Sequence, residues 1–384
     1  MIKVCTKGIW NETVPGIKFD SEGVSNYYHL QKILEHNFPR GEKGNQIWEN
    51  IVEDIKEKGK NNRYDCIIGV SGGVDSSYLL HVAKNVYGLR PLAVNLDNGW
   101  STDIAVKNIQ KITKKLNIDL ETYVINYQEI KDLLRSYVRA SLPWIDTPTD
   151  MAIKGALYKI ANRENIKFIL RGNDFRSEGK QPREWTYSDY KQLKHVHKIF
   201  GSGIKLKTFP FLNNVNLVYY GYIKKIKEVR PYYYIDYKKQ EAKELLMEMY
   251  DWQDYGGHHH ENIFTKFAMS YWLPQKFGID KRLIHLSAQV ASNAITREQA
   301  LDQISKPFET PKKLEDTKNY VLKKLDISQE EFFKIWNSPN KSFLDYPNNF
   351  VMIQKILKYG KPLISRIYKQ KPMSFFEMEA RNEK

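Results

Sequence analysis

Tyr64 to Ser77 read YDCIIGVSGGVDSS, and the fold follows from how these residues are understood. The first half, YDCIIGV (64–70), is a short apolar run with β-branched residues and no polar face. That pattern predicts a strand covered on both sides, as in a parallel sheet. The second half, SGGVDSS (71–77), is a turn leading into a helix predicted over 77–87, where Leu79, Leu80, Val82, Ala83 and Val86 fall near one stripe. Gly72 and Gly73 permit backbone conformations and close approach that other residues forbid. Ser71, Ser76 and Ser77 add hydroxyls, and the free N–H groups at the start of the helix favour an anion. The turn therefore predicts a phosphate-binding loop. It lacks the GxxxxGK[ST] spacing of a Walker loop. Asp75 is anionic and cannot hold phosphate itself; its expected task is to hold a magnesium ion bridging pyrophosphate oxygens.

Outward from the loop, strands are predicted at 92–96, 120–125 and 168–170. A helix is predicted over 102–116 with Ser101 or Thr102 as N-cap, and another from a Thr149 cap to about Asn162. Strands alternating with helices predict an α/β fold with a parallel sheet. Ligands of such sheets lie beyond the C-terminal strand ends. Those ends carry Asn95-Leu96-Asp97-Asn98-Gly99-Trp100 and Leu170-Arg171-Gly172-Asn173-Asp174-Phe175-Arg176-Ser177-Glu178. Plain Asx-Gly turns would explain part of both. Beyond about residue 201 the pattern becomes helical, with segments at 237–250, 263–273, 296–304, 313–325, 328–336 and 349–358. The expected organisation is an N-terminal segment (1–60), an α/β domain (61–200) and a mostly helical C-terminal region (201–384) that completes the site.

Of the 384 residues, 41% are hydrophobic, and 60 Lys and Arg against 45 Asp and Glu leave a net charge of +15. The excess raises the odds of an anionic partner, but the lysines are spread along the whole chain, so nucleic acid is not the expected one. No stretch reads as a membrane span and the N-terminus lacks a signal-peptide pattern, so a cytoplasmic protein is expected. The two cysteines, Cys5 and Cys66, cannot form a disulfide framework or a zinc site alone.

SGGVDSS resembles the SGGxDS loop of the N-type ATP pyrophosphatases (the PP-loop, adenine nucleotide alpha hydrolase-like superfamily). A narrower resemblance is to the N-acetyl sugar amidotransferases of bacterial surface-polysaccharide and lipopolysaccharide (O-antigen) biosynthesis. It rests on FDSEGVSN (19–26), GVSGGVDSSYL (69–79), LDNGWS (96–101), PTDMAI (148–153), YGGHHHENIFTKF (255–267), LPQKFGIDKRLIHLS (273–287) and ITREQAL (295–301), in that order. The resemblance implies ATP and Mg²⁺ as cofactors. It also implies adenylation of an acetamido oxygen on a sugar, nucleotide-linked by expectation, with release of pyrophosphate, and displacement of AMP by ammonia to give an acetamidino group.

By the same resemblance Val94, Asn95, Leu96 and Gly172 contact the nucleotide, together with Ser71, Gly72, Gly73, Asp75, Ser76 and Ser77. Asp97 and Asn98 serve the substrate or a metal, and Asn173 and Ser177 serve the substrate. Asp75, Glu178, His259, His260, Glu261, Lys276, Lys281 and Arg282 serve the chemistry. For Lys276, Lys281 and Arg282 a solvated basic turn is the plain alternative. His195 and His197 are read as structural.

A glutaminase needs an activated cysteine; Cys66 falls in a buried strand, and Cys5 is close to the N-terminus but not at it. Ammonia is therefore expected from separate subunits resembling the glutaminase and cyclase pair of histidine biosynthesis. The chain departs from its relatives where Gly8, Ser25 and Tyr28 replace three cysteines of an N-terminal zinc ribbon, so no zinc is expected there, and His258 stands at an expected lysine. Two other adenylating classes fit the loop: a tRNA-modifying enzyme and an amide synthetase acting on a carboxylate. A binding or scaffolding protein with a degenerate loop is disfavoured by the intact heptad.

Overall fold

The structure is a computed structural model that describes residues 2–257, 260–367 and 373–381. Its centre is a five-stranded sheet of order β3-β2-β1-β4-β5: β1 (Cys66–Gly69), β2 (Pro91–Asp97), β3 (Leu120–Val124), β4 (Phe168–Leu170) and β5 (Lys227–Val229). Every neighbouring pair is parallel, with Ile67 opposite Leu92 on one side and Ile169 on the other. The strands of the predicted α/β fold are thus present. The fifth, β5, lies in a lysine-rich segment that gives no strand signal.

Period-two alternation divides the central strands between two apolar layers. Cys66, Ile68, Ala93, Phe168 and Leu170 face one cluster. It is filled from α1 (Asn26–Asn37), α2 (Glu42–Gly59), α3 (Val74–His81) and α4 (Asp103–Leu116). Ile67, Leu92, Val94 and Ile169 face the other, filled by Leu157, Tyr158, Ile160 and Ala161 of α6 (Thr147–Arg163). A sheet covered on both faces explains why β1 and β4 read as unbroken apolar runs.

Two boundaries move. α2 brings Trp48, Val52 and Ile55 into the same cluster as β1, and β5 pairs with β4. The sheet unit therefore draws on residues before 60 and after 200, unlike the division expected from composition. α5 (Tyr127–Arg139), also unpredicted, packs with the C-terminal helices through Leu133, Tyr137, Phe267, Trp272 and Leu325.

Helix starts also differ in detail. α3 begins directly after Gly73 and passes into a π-helical turn over Val82–Val86. Thr102 caps α4, accepting from the Ala105 N–H at 3.2 Å. The N-cap of α6 is Asp146, not Thr149, because Pro148 sits in the first turn. The predicted C-terminal helices are present at Lys239–Tyr250, Ile263–Phe267, Arg297–Ser305, Pro311–Leu325, Gln329–Asn337 and Phe350–Ile367. Ile263–Phe267 runs on as a π-helix to Phe277 with Pro274 inside it.

At the N-terminus Cys5 is buried with Ile9 and Trp10 against Leu283 and Ile284. Its sulfur accepts the Ser25 N–H at 3.2 Å, so this N-terminal segment is packed as an apolar plug. No described helix is long and apolar enough to cross a membrane.

Candidate functional site

The strand order reverses direction at β1: the chain moves outward to β2 and β3, then returns to β4 on the other side. Such a switch point opens a crevice beyond the strand ends. A cavity of about 360 Å³ lies there, and its lining includes Ser71, Gly73, Asp75 and Ser76 of the loop.

The loop is held by its backbone. Gly72 has φ +82°, and a Cβ there would stand 2.3 Å from the Ala105 carbonyl oxygen on α4, so only glycine fits. Its own carbonyl accepts from Trp252 Nε1 at 3.0 Å and Asn108 Nδ2 at 3.4 Å. Gly172, after β4, would place a Cβ 2.9 Å from the Asp75 carbonyl oxygen; its close approach lets the β1 and β4 loops share one crevice.

The β4 loop is pinned from below. Asp174 is buried and accepts from Arg40 at 2.9 Å. Burial raises its carboxyl to about 6, against the pull of Arg40 and Arg176. Arg176 donates to the carbonyls of Tyr233 at 3.1 Å and Phe38 at 2.6 Å. This knot turns Asn173 and Glu178 toward the cavity, joined to each other at 3.1 Å.

Asp75 is set for a cation. Tyr237 donates to one carboxylate oxygen, and Lys239 Nζ lies 3.2 Å from the other. Burial and the Asp75 charge push the Tyr237 phenol well above its usual value, so it stays a donor. Burial pulls the Lys239 ammonium down, but Asp75 and Glu178 outweigh it and the net shift is upward. Lys239 therefore remains charged beside the SGGVDSS loop. Nothing in PYYYIDYKKQ (231–240) marks it in the sequence, since it reaches the loop only by tertiary packing.

A second cluster shares the same cavity. Trp144, Asp146, Thr149, Asp150, Thr265 and Lys281 all line it. Trp144 Nε1 donates to Asp150 at 2.6 Å, Thr265 Oγ1 donates to Asp146, and Asn98 Nδ2 donates to Thr149 Oγ1 at 3.1 Å. Lys281 Nζ sits 3.9 Å from the centre of the Trp144 ring. Burial lowers its ammonium to about 8, against the upward pull of Asp150, Glu178 and Asp146. Burial, then Asp150, raise the Asp146 carboxyl to about 7. Burial thus draws the Asp146 carboxyl up and the Lys281 ammonium down within one cavity.

Other sequence-predicted residues fall as follows. Val94, Asn95, Leu96, Asn98, Gly172, Asn173, Glu178 and Glu261 line the cavity, with Tyr255; Ser71 Oγ donates to Glu261 at 3.3 Å. Ser77 does not reach it, being buried in the first turn of α3. Asp97 closes a turn by accepting from the Gly99 N–H at 2.9 Å. The Ser177 hydroxyl donates to the Asp174 carbonyl at 3.2 Å.

Lys276 and Arg282 also lie outside the lining. Lys276 Nζ donates to the carbonyls of Ile335, Trp336 and Ser338 at 2.7–3.1 Å, capping the helix Gln329–Asn337. Arg282 chelates Asp280 at 2.7 Å and donates to the Lys306 carbonyl at 2.8 Å. In each case a near neighbour, Lys281 (five residues after Lys276 and one before Arg282), is the one the fold turns inward. His260 is half-buried outside the lining, and His259 lies outside the described residues. His197 pairs with Asp132 at 2.9 Å, a structural contact. Burial pushes the Cys66 thiol up.

No cluster of three metal-ligating side chains occurs among the described residues. Magnesium does not need one: it takes one or two carboxylates plus phosphate oxygens. Asp75 and Glu178, which line the same cavity, supply that number.

Residues 261–358 match the family described as LPS biosynthesis protein WbpG-like, C-terminal domain. An uncharacterized protein of Methanocaldococcus jannaschii, MJ1599, is 22% identical over 281 residues, covering 72% of this chain and 84% of the relative. Among solved structures, the NH3-dependent NAD synthetase from Campylobacter jejuni is 16% identical, covers 78% of this chain and 98% of its own, and has a TM-score of 0.32. The U34-tRNA thiolase NcsA from Methanococcus maripaludis is 14% identical, covers 79% and 90%, and has a TM-score of 0.32.

Proposed function

On the premise that residues 261–358 are a WbpG-like C-terminal domain joined to a PP-loop α/β sheet, we propose that the protein is an ATP-dependent amidotransferase. It converts the acetamido group of a sugar, nucleotide-linked by expectation, to an acetamidino group. The observation that carries this reading is one cavity uniting the SGGVDSS loop with two lysines and with the Asp146–Asp150 pair.

The ATP phosphates lie on the loop, with the N-terminus of α3 and Lys239 meeting their charge. Adenine rests on the apolar lining supplied by Val94, Leu96 and Leu157. Asp75 and Glu178 would hold Mg²⁺, which neutralises charge developing on pyrophosphate. The acetamido oxygen attacks the α-phosphorus, the bond to the bridging oxygen breaks, and pyrophosphate leaves. The adenylated imidate now carries a good leaving group.

Ammonia adds to the imidate carbon, one proton passes to a neighbouring base, and AMP departs to leave the amidine. Asp146, poised near neutrality, takes that proton, and Lys281 steadies the departing phosphate. Neither cysteine suits a glutaminase, so ammonia comes from separate glutaminase and cyclase-like subunits. The helical region supplies Lys239, Tyr255, Glu261, Thr265 and Lys281 to the cavity, and Arg40 of the N-terminal segment acts on it through Asp174.

The test mixes the protein with Mg-ATP, ammonium and a panel of UDP- and CMP-linked N-acetyl sugars. AMP formation with a product lighter by the difference between O and NH supports the reading. AMP formed only with a carboxylate acceptor would replace it with amide synthesis; no AMP with any acetamido sugar would defeat it.

A further inference from the structure

Residues 190–227 contain eight lysines, two histidines and no aspartate or glutamate. In this acid-free stretch lies one continuous helical run, Asn214–Val218 followed by Tyr219–Ile223. It is well formed at its start, where Asn213 and Asn216 cap each other. Its apolar residues follow the spacing of an amphipathic stripe: Val215, Val218, Tyr219, Tyr222 and Ile223. That stripe would ordinarily face a core. Here it faces solvent, with exposures of 75, 56, 40, 58 and 69%. Leu217 and Tyr220, on the other side, anchor the helix to the sheet layer, where Tyr220 stacks on Tyr158 at 5.6 Å.

Charge brackets the stripe. At its start, Val215 shares an open groove with Lys191, Lys194, Lys198 and Lys205. At its end, Ile223 is followed directly by Lys224 and Lys225. From these observations we infer that the helix 214–223 and its lysine rim form a docking surface for an anionic lipid bilayer. An exposed apolar stripe with tyrosines, rimmed by lysines and free of acid, is what an interfacial helix offers a negatively charged headgroup layer. An acidic protein partner would be matched by the lysines alone and would not call for five exposed apolar side chains at helical spacing. On the proposed function, docking here would set an enzyme of sugar modification beside a membrane without a spanning helix among the described residues.

The test is flotation of the full chain with vesicles of phosphatidylcholine alone, or with about 30% phosphatidylglycerol added. Binding is expected to the anionic vesicles only and to weaken as salt rises. The double variant Val218→Ser, Ile223→Ser should lower the bound fraction about tenfold or more. Lys224→Glu with Lys225→Glu should do the same. Circular dichroism and AMP formation should be unchanged in both, since none of these residues lines the cavity. Equal binding to both vesicle types, or no binding to either, would overturn the inference. So would retention by tRNA without vesicle binding, which would assign the surface to nucleic acid. A concentration-dependent dimer abolished by the Val218 and Ile223 changes, without vesicle binding, would assign it to a second copy.

Discussion

Asp146→Asn is expected to stabilise the folded protein while impairing its chemistry, and the gain should depend on pH in a defined direction. Asp146 is 1% exposed, and its carboxyl is raised from 3.8 to about 7, by burial first and by Asp150 second. Below its ordinary value both the folded and the unfolded chain hold the proton, and the side chain costs nothing. Between 3.8 and about 7 the unfolded chain has released the proton and the folded one retains it, so stability falls as pH rises. Above that window the cost is complete.

At roughly 1.4 kcal/mol per pH unit, a shift of this size corresponds to at most about 4 kcal/mol. Asparagine still accepts from the Thr265 hydroxyl and has no charge to bury. It deprives Lys281 of one of its three carboxylate neighbours, which trims the gain. The variant should therefore gain about 1–4 kcal/mol near pH 8 and almost nothing near pH 4. Urea melts at the two pH values, with unchanged slopes, measure this directly. Equal destabilisation at both pH values would refute the reasoning, as would a gain of the same size in acid. AMP formation driven by ammonium should drop in the same variant, because the cost in stability is the condition for a proton acceptor at neutral pH.

Four further outcomes follow from particular contacts. Gly72→Ala should lose about 2–4 kcal/mol in thermal or urea unfolding, since its Cβ meets the Ala105 backbone and no side-chain rotation relieves that overlap. Asp75→Asn should abolish AMP formation in a chain that still folds, with a modest loss of stability because the Lys239 ammonium loses its opposing charge; full activity would remove Asp75 from the mechanism. Lys239→Met should cut AMP formation by about a hundredfold or more, and retained activity would show that the ammonium serves only to balance Asp75. Lys276→Ala should cost about 1–3 kcal/mol of stability by leaving three carbonyls without their donor, yet leave kcat unchanged; a loss of kcat at intact fold would return it to the site.

What was legible in the chain alone is local. Cys66–Gly69 and Phe168–Leu170 declare strands because a sheet covered on both faces demands unbroken apolar residues. Gly72 declares a turn because only glycine tolerates its backbone. SGGVDSS thereby placed a glycine turn at the end of β1, and the glycine after β4 followed.

What tertiary structure decided is which distant charges face that loop. β5 pairs at a sheet edge through backbone hydrogen bonds, to which lysine side chains contribute no pattern. In the run from Lys276 to Arg282 three cations look equivalent, yet only Lys281 lies inward, because the helix beginning at Arg282 packs Leu283 and Ile284 against the N-terminal plug and leaves its neighbours to cap other elements. Asp146 and Asp150 stand four residues apart at the start of α6, while Lys239 comes from a helix some ninety residues further on, with no pattern linking it to them. Their roles depend on burial and on one another's fields, which exist only once the chain is folded.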